Sequence, residues 1–175
     1  MQNHITLTII IGISILIIGG CVAFANQSAW KIYTNSNRAF SFSYPKSWGE
    51  PRVLENQKSN EFQVDFGNYE FSVNNGYYFG DINGKRPTVS QLMQGYKDDM
   101  DSKNEVKYFQ TENIEVDSRR AIKVSIDNLN GTHFTDVYIY DNPQNEADFI
   151  LVTANKGFVD DATFNKILST FKFAK

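Results

Sequence analysis

The chain has 175 residues, a net charge of −3, 41% hydrophobic residues and one cysteine. Its Lys and Arg are scattered, which excludes nucleic-acid binding through a basic stripe, and a lone cysteine excludes an intramolecular disulfide. Fourteen Phe, nine Tyr and two Trp leave stability to an aromatic core, which about 145 residues suffice to build as one domain.

Residues 2–29 contain no Asp, Glu, Lys or Arg, and Ile5 to Phe24 is almost continuously apolar. A bilayer core takes about 20 such residues as a helix. Residues 1–25 therefore read as a signal peptide, a lipoprotein signal or a membrane anchor. Gly19-Gly20 followed by the small residues Ala23 and Ala25 fits cleavage after Ala25. Ile18-Gly19-Gly20-Cys21 resembles a bacterial lipobox, with Cys21 as the acylated residue. Against both cuts, Met1 to His4 carries no Lys or Arg, and an uncleaved helix is the third outcome. All three place the remainder outside the cytoplasm, in the cell envelope or secreted. Residues 26–29 are a short linker and residues 30–175 one domain.

Lys31-Ile32-Tyr33 opens the domain as a strand, and Asn35-Ser36-Asn37 turns the chain. Phe40-Ser41-Phe42-Ser43-Tyr44 alternates aromatic-in and serine-out. Pro45 ends that strand, and Trp48 follows in a loop that caps the core. Glu61–Phe66 and Tyr69–Val73 form a hairpin about Gly67-Asn68. Asn74 to Pro87 is a long loop rich in turn signals. A helix capped by Thr88 or Ser90 runs to about Met100, with Val89, Leu92, Met93 and Tyr96 on one face.

Val106–Phe109 and Asn113–Val116 are two short extended pieces. Arg120–Asp127 is a strand, and Asn128–Gly131 a hairpin turn. Phe134–Tyr140 and Phe149–Thr153 read as apolar on both faces, hence as central strands covered by helices on both sides. Asp160 or Asp161 caps a last helix that presents Phe164, Ile167, Leu168 and Phe171 inward. Hairpin-joined strands exclude a doubly wound parallel sheet, so the fold class is α+β on an antiparallel sheet.

The pieces Tyr33-Thr34-Asn35, Phe40-Ser41-Phe42-Ser43-Tyr44-Pro45 with Trp48, and the closing Phe164 to Phe173 resemble the PsbP-like family. The resemblance implies an α/β/α sandwich with a central antiparallel sheet. It also implies a binding or assembly role, as in extrinsic photosystem II proteins and bacterial envelope lipoproteins, rather than catalysis. No functional residue carries over, because the matching positions are core and turn positions.

The catalytic inventory is thin. A Ser-His-Asp triad needs a histidine base, and His133 is the domain's only one. Cys21 lies in the export segment. Zinc needs several His or Cys ligands, so no metal site and no cofactor are expected. Asp81-Ile82-Asn83-Gly84 looks like the opening of a calcium loop but lacks its later ligands, and turn chemistry accounts for it. Asp98-Asp99-Met100-Asp101 gathers acid at a helix end, where the macrodipole disfavours it. Arg119-Arg120 and Lys85-Arg86 read as solvated surface charge. Asn130-Gly131-Thr132 fits a glycosylation sequon but reads better as a turn.

One segment stands out for binding. Tyr77, Tyr78 and Phe79 lie between Gly76 and Gly80, as a contact patch would. The expected function is a non-enzymatic, extracytoplasmic module, held to a membrane by its N-terminal segment or secreted. It binds or stabilises a membrane-associated protein complex through an unknown envelope partner. The alternative is a carrier of a small apolar ligand or cation, with a pocket lined by aromatics such as Tyr138 and Tyr140.

Overall fold

The computed structural model describes residues 29–56, 61–75, 86–142 and 144–174. Residues 1–28, with Cys21, Ala23 and Ala25, lie outside them, as do residues 76–85, with Tyr77, Tyr78, Phe79, Asp81 and Asn83. In chain order the described elements are β1 (Trp30–Asn35), β2 (Phe40–Pro45), β3 (Arg52–Asn56), β4 (Glu61–Phe66), β5 (Phe71–Asn74) and helix α1 (Val89–Ser102). They continue as β6 (Val106–Val116), β7 (Arg119–Asn128), β8 (His133–Tyr140), β9 (Phe149–Asn155), helix α2 (Asp161–Ser169) and β10 (Lys172–Phe173).

Hairpin connections give two antiparallel sheets and a mixed α+β fold. One sheet has seven strands in the order β3-β4-β5-β9-β8-β7-β6, and the other three in the order β1-β2-β10. The two faces of the larger sheet build separate cores. Val124, Ile126, Tyr138, Tyr140, Phe149 and Leu151 face α1 and meet its Val89, Leu92, Met93 and Tyr96. On the opposite face, Phe71, Val137, Ile139, Ile150 and Val152 pack with Phe164, Ile167 and Leu168 of α2 and with Phe40, Phe42 and Tyr44 of β2. The central sheet is thus covered on both sides, but one cover is α2 together with a small sheet rather than a helix alone. The reason lies in β2: its aromatics share one face, which must be buried, while its serines stay half-exposed.

Both helices start as their caps predict. Thr88 accepts from the Gln91 amide, and the Gln91 side chain returns to the Thr88 amide, which completes a capping box on α1. Asp160 caps α2 by accepting from the Thr163 amide at 2.7 Å.

Four expectations need correction. The pieces around Phe109 and Ile114 are one strand of 11 residues, paired without interruption with β7 from Tyr108 to Val116. Their apolar signal is weak because β6 is an edge strand. Edge strand β3 is an addition to the expected elements, since its mostly exposed residues carry no alternation. Tyr69 sits in the Gly67–Tyr69 3-10 turn rather than in β5, with Glu70 at φ 44° completing the connection. Finally, β8 is not wholly apolar, since Thr135 and Asp136 are buried within it.

Strand direction gives the domain two distinct ends. At one, the Lys46 amide donates to Ala29 O at 2.8 Å, where the described chain enters the fold. The Trp48 ring stacks on Tyr69 at 4.9 Å there. The Asn155 amide reaches Glu70 O at 3.1 Å, and the Lys156 amide reaches His133 O at 2.8 Å. The other end holds the β1–β2 turn, the 141–148 connection and the β6–β7 hairpin. That hairpin closes through Asp117 and Ser118 at φ 48° and 66°, the left-handed pair that suits strand twist.

Candidate functional site

Two constellations of polar side chains have the burial expected of functional groups. The first lies between α1 and the sheet. Asp136 projects from β8 toward α1 and is only 6% exposed. Tyr96, from the middle of α1, donates to its Oδ2 at 3.1 Å, and Tyr138 approaches the same oxygen at 3.4 Å. The two tyrosine hydroxyls lie 3.0 Å apart. Asp136 Oδ1 has no hydrogen-bond partner among the described residues. Burial raises the Asp136 pKa above its ordinary value, with Thr153, Tyr96 and Tyr138 pulling the other way. Burial and the Asp136 charge likewise push both phenols up. A carboxyl so placed holds a proton more readily than one in water.

The second constellation is at the end of the domain opposite Ala29. The Arg119 guanidinium donates to Asp141 Oδ1, and Arg38 lies 4.0 Å from Asp141 Oδ2. Arg119 also covers the Phe173 ring at 3.8 Å, and Arg38 covers Phe62 at 5.6 Å. Arg86 reaches Glu61 at 3.9 Å. Burial lowers the Arg38 pKa, and the neighbouring Arg86 adds to that, while Asp141, Asp148 and Glu55 oppose it. The chain turns beside this cluster through Ala39, a non-glycine residue at φ 53°. Arg119 is therefore not simply solvated, since it is ion-paired over an aromatic ring, whereas Arg120 is exposed with its guanidinium 4.7 Å from the centroid of Tyr140.

The residues singled out in the sequence fall as follows. Tyr138 and Tyr140 do line the helix–sheet interface, and the Tyr140 hydroxyl is buried without a hydrogen-bond partner among the described residues. His133 pairs with Asp127 at 2.7 Å, directly across the β7–β8 ladder and half-exposed. Asp98 accepts from Gln94 at 2.7 Å on the exposed side of α1. Asn130 accepts from the Thr132 amide and hydroxyl at 2.9 and 2.7 Å, which is turn chemistry. Cys21, Ala23, Ala25 and the Tyr77-Tyr78-Phe79 patch lie outside the described residues. The residues that flank that patch, Asn75 and Arg86, are at the end opposite Ala29, beside the arginine cluster. Among the described residues, no group of three His, Cys, Asp or Glu side chains gathers in metal-binding range. Among them also, no helix is long and apolar enough to cross a membrane, and Ile5 to Phe24 is not part of that set.

Asp136, Arg38 and Asp141 were not singled out in the sequence. For Asp136 a signal existed, a carboxylate inside the largely apolar run Phe134–Tyr140, next to Thr135. For Arg38 and Asp141 there was none, because they meet only through the fold, at separate turns.

No family model matches the sequence, and no curated protein matches it. Among solved structures, the chain is similar to the solution structure of cyanobacterial PsbP (CyanoP) from Synechocystis sp. PCC 6803. That match has a TM-score of 0.43 and 11% identity, covering 83% of this chain and 93% of the other.

Proposed function

We propose that the chain is a non-enzymatic extracytoplasmic module, delivered to a membrane by residues 1–25, that binds or stabilises a membrane-associated protein complex. One observation carries the reading: a charge-free apolar stretch of bilayer length leads, after a few polar residues, into a separately cored domain at Ala29. The module works by contact. Its Ala29 end is held toward the membrane, and the opposite end offers Arg38, Arg86, Arg119 and Asp141 to a partner, next to the attachment of the Tyr77-Tyr78-Phe79 segment. Arginine and aromatic residues are the side chains that most often anchor protein interfaces. The sequence resemblance to PsbP-like proteins favours the same class of role.

The test is cross-linking of the native protein in its own membranes, with mass spectrometry of the N-terminal peptide and of co-purified proteins. A stoichiometric partner linked near Tyr77 to Phe79 or Arg38 supports the reading, and the N-terminal peptide identifies the cleaved, acylated or uncleaved form. Recovery of the protein alone, at native levels, removes the assembly role.

A second reading, a carrier of a small ligand or cation, is favoured by one feature: the buried Asp136 Oδ1 and Tyr140 hydroxyl, which have no hydrogen-bond partner among the described residues. A ligand bound there raises the melting temperature by mass action. Melting scans with monovalent and divalent cations that leave the midpoint unmoved remove the cation form of this reading.

A further inference from the structure

Large apolar side chains left in water are distributed unevenly between the two ends of the domain. Among the described residues they are Ile32, Val53, Tyr108, Leu129 and Phe158. Ile32 and Val53 lie in the first halves of β1 and β3, and Tyr108 near the start of β6. Ladder register puts all three toward the Ala29 end: Ile32 pairs with Ser43, Val53 with Val64, and Tyr108 with Asp127. Leu129 and Phe158 sit at that end outright, in the β7–β8 turn and in the β9–α2 turn, 54% and 55% exposed. The described turns of the opposite end, at 36–39, 117–118 and 144–148, expose no large hydrophobic residue. Single exposed hydrophobics are ordinary, but a set confined to one end is a directional feature.

The two turns are also held firmly by their backbones. The Leu129 amide donates to Glu105 O at 2.8 Å, and the Asn128 amide to Thr132 O at 2.9 Å. The Phe158 amide donates to Asn155 O at 3.0 Å. The Asn155 side chain accepts from the Gly157 amide at 2.8 Å and donates to Glu70 at 2.6 Å. A Cβ on Gly157 would come within 3.2 Å of Asn155 Oδ1, so that turn is tight. The turns neighbour one another, because the Lys156 amide bonds His133 O just beyond the β7–β8 turn. The fold thus presents Leu129 and Phe158 at the same end of the sheet, each in a turn held by backbone hydrogen bonds and each more than half exposed.

We infer that the Ala29 end rests on the bilayer, with Leu129 and Phe158 seated at the lipid interface. This rests on the membrane-tethered reading above. The occupant follows from where the chain leads. Ala29 is reached from an apolar stretch long enough to span a bilayer, with only residues 25–28 between, so in the tethered form this end stays within roughly 17 Å of that stretch even at full extension. Lys46, Lys156, Asp160 and Asp161 around it carry mixed charge, which asks for no particular headgroup. Two apolar side chains preorganised at a surface already tethered lose little further freedom on entering the interface. The consequence is orientation: the strands stand up from the membrane, and the cluster of Arg38, Arg119 and Asp141 points away from it, toward a partner.

The test uses the full chain reconstituted into phosphatidylcholine vesicles. Leu129→Cys, Phe158→Cys and the far-end control Gln144→Cys are each labelled with an environment-sensitive nitrobenzoxadiazole probe, with the wild-type chain as the Cys21 baseline. We expect the chain to float with the vesicles. Probes at 129 and 158 should show blue-shifted emission and be quenched by spin-labelled lipid, with the probe at 144 keeping its aqueous spectrum. A chain that floats while probes at 129 and 158 stay aqueous overturns the inference and leaves the tether standing. Equal blue shifts at all three positions overturn the orientation. A chain that does not float overturns the tethered reading, and this inference with it.

Discussion

Tyr96, midway along α1, sets its hydroxyl 3.1 Å from Oδ2 of Asp136 on β8, beneath a helix whose other inward contacts are apolar. This hydrogen bond ties the middle of α1 to the sheet. Tyr96→Phe keeps the ring and removes the donor, which leaves a buried carboxyl less satisfied. The expected loss is about 1–3 kcal/mol in urea unfolding. In an Asp136→Asn background the loss should shrink, since the group needing the donor has changed, and a double-mutant cycle reads the difference. Equal losses in both backgrounds would mean that Tyr96 acts by packing alone.

Asp136 also sets a direction for stability against pH. Burial raises its folded-state pKa, against the opposing hydroxyls of Thr153, Tyr96 and Tyr138. Its contribution is therefore complete below the unfolded carboxylate value of about 4 and is lost as pH rises through the raised folded value. Asp136→Asn should gain stability relative to the wild type on going from pH 4 to pH 8. The difference in melting temperature, measured across that range, checks this. A difference independent of pH would show that the carboxyl titrates normally.

The parts of the fold legible from residues alone are those where pattern and burial coincide. Phe40 to Tyr44, Thr88 with Gln91, and Asp160 ahead of Phe164, Ile167 and Leu168 each combine a period with a boundary signal. Edge strands were hard to read for a physical reason. β3 and most of β6 bury little, so Arg52–Asn56 shows no alternation, and Gln110 to Asn113 reads as a polar gap within a continuous strand. The candidate site was legible only in fragments. Tyr138 and Tyr140 were visible as aromatics on a central strand. Arg38 and Asp141 come together from the β1–β2 turn and from the end of β8, a meeting no local pattern encodes. The apolar stretch Ile5 to Phe24 is the reverse case: its length and lack of charge are features of composition alone.

The capping box on α1 bears on the same interface from another side. Thr88→Ala removes the side-chain acceptor of the Gln91 amide, at 3.2 Å, and should cost about 1 kcal/mol. The loss should fall on the first turn of α1, near Val89, where hydrogen exchange of the Gln91 and Leu92 amides would speed up before that of β8. Exchange that rises uniformly over the domain would mean that the cap supports global rather than local stability.

Phe42 joins three elements, and its truncation should be the most damaging of these changes. Its ring stacks on Phe171 at 4.9 Å and 13°, and lies 5.4 Å from Tyr33 and 6.3 Å from Phe71. It therefore couples the small sheet, the segment after α2 and the central sheet, with 1% of its surface exposed. Phe42→Ala deletes the ring where three layers meet and little can collapse to fill the space, so the expected cost is about 3–5 kcal/mol. That is a large share of the roughly 5–15 kcal/mol that holds a domain together. Phe42→Leu keeps most of the volume and should cost less. Urea midpoints at constant slope give both values. A Phe42→Ala loss under about 1 kcal/mol would mean that the small sheet contributes little to the core and that the seven-stranded sheet and its helices are stable without it.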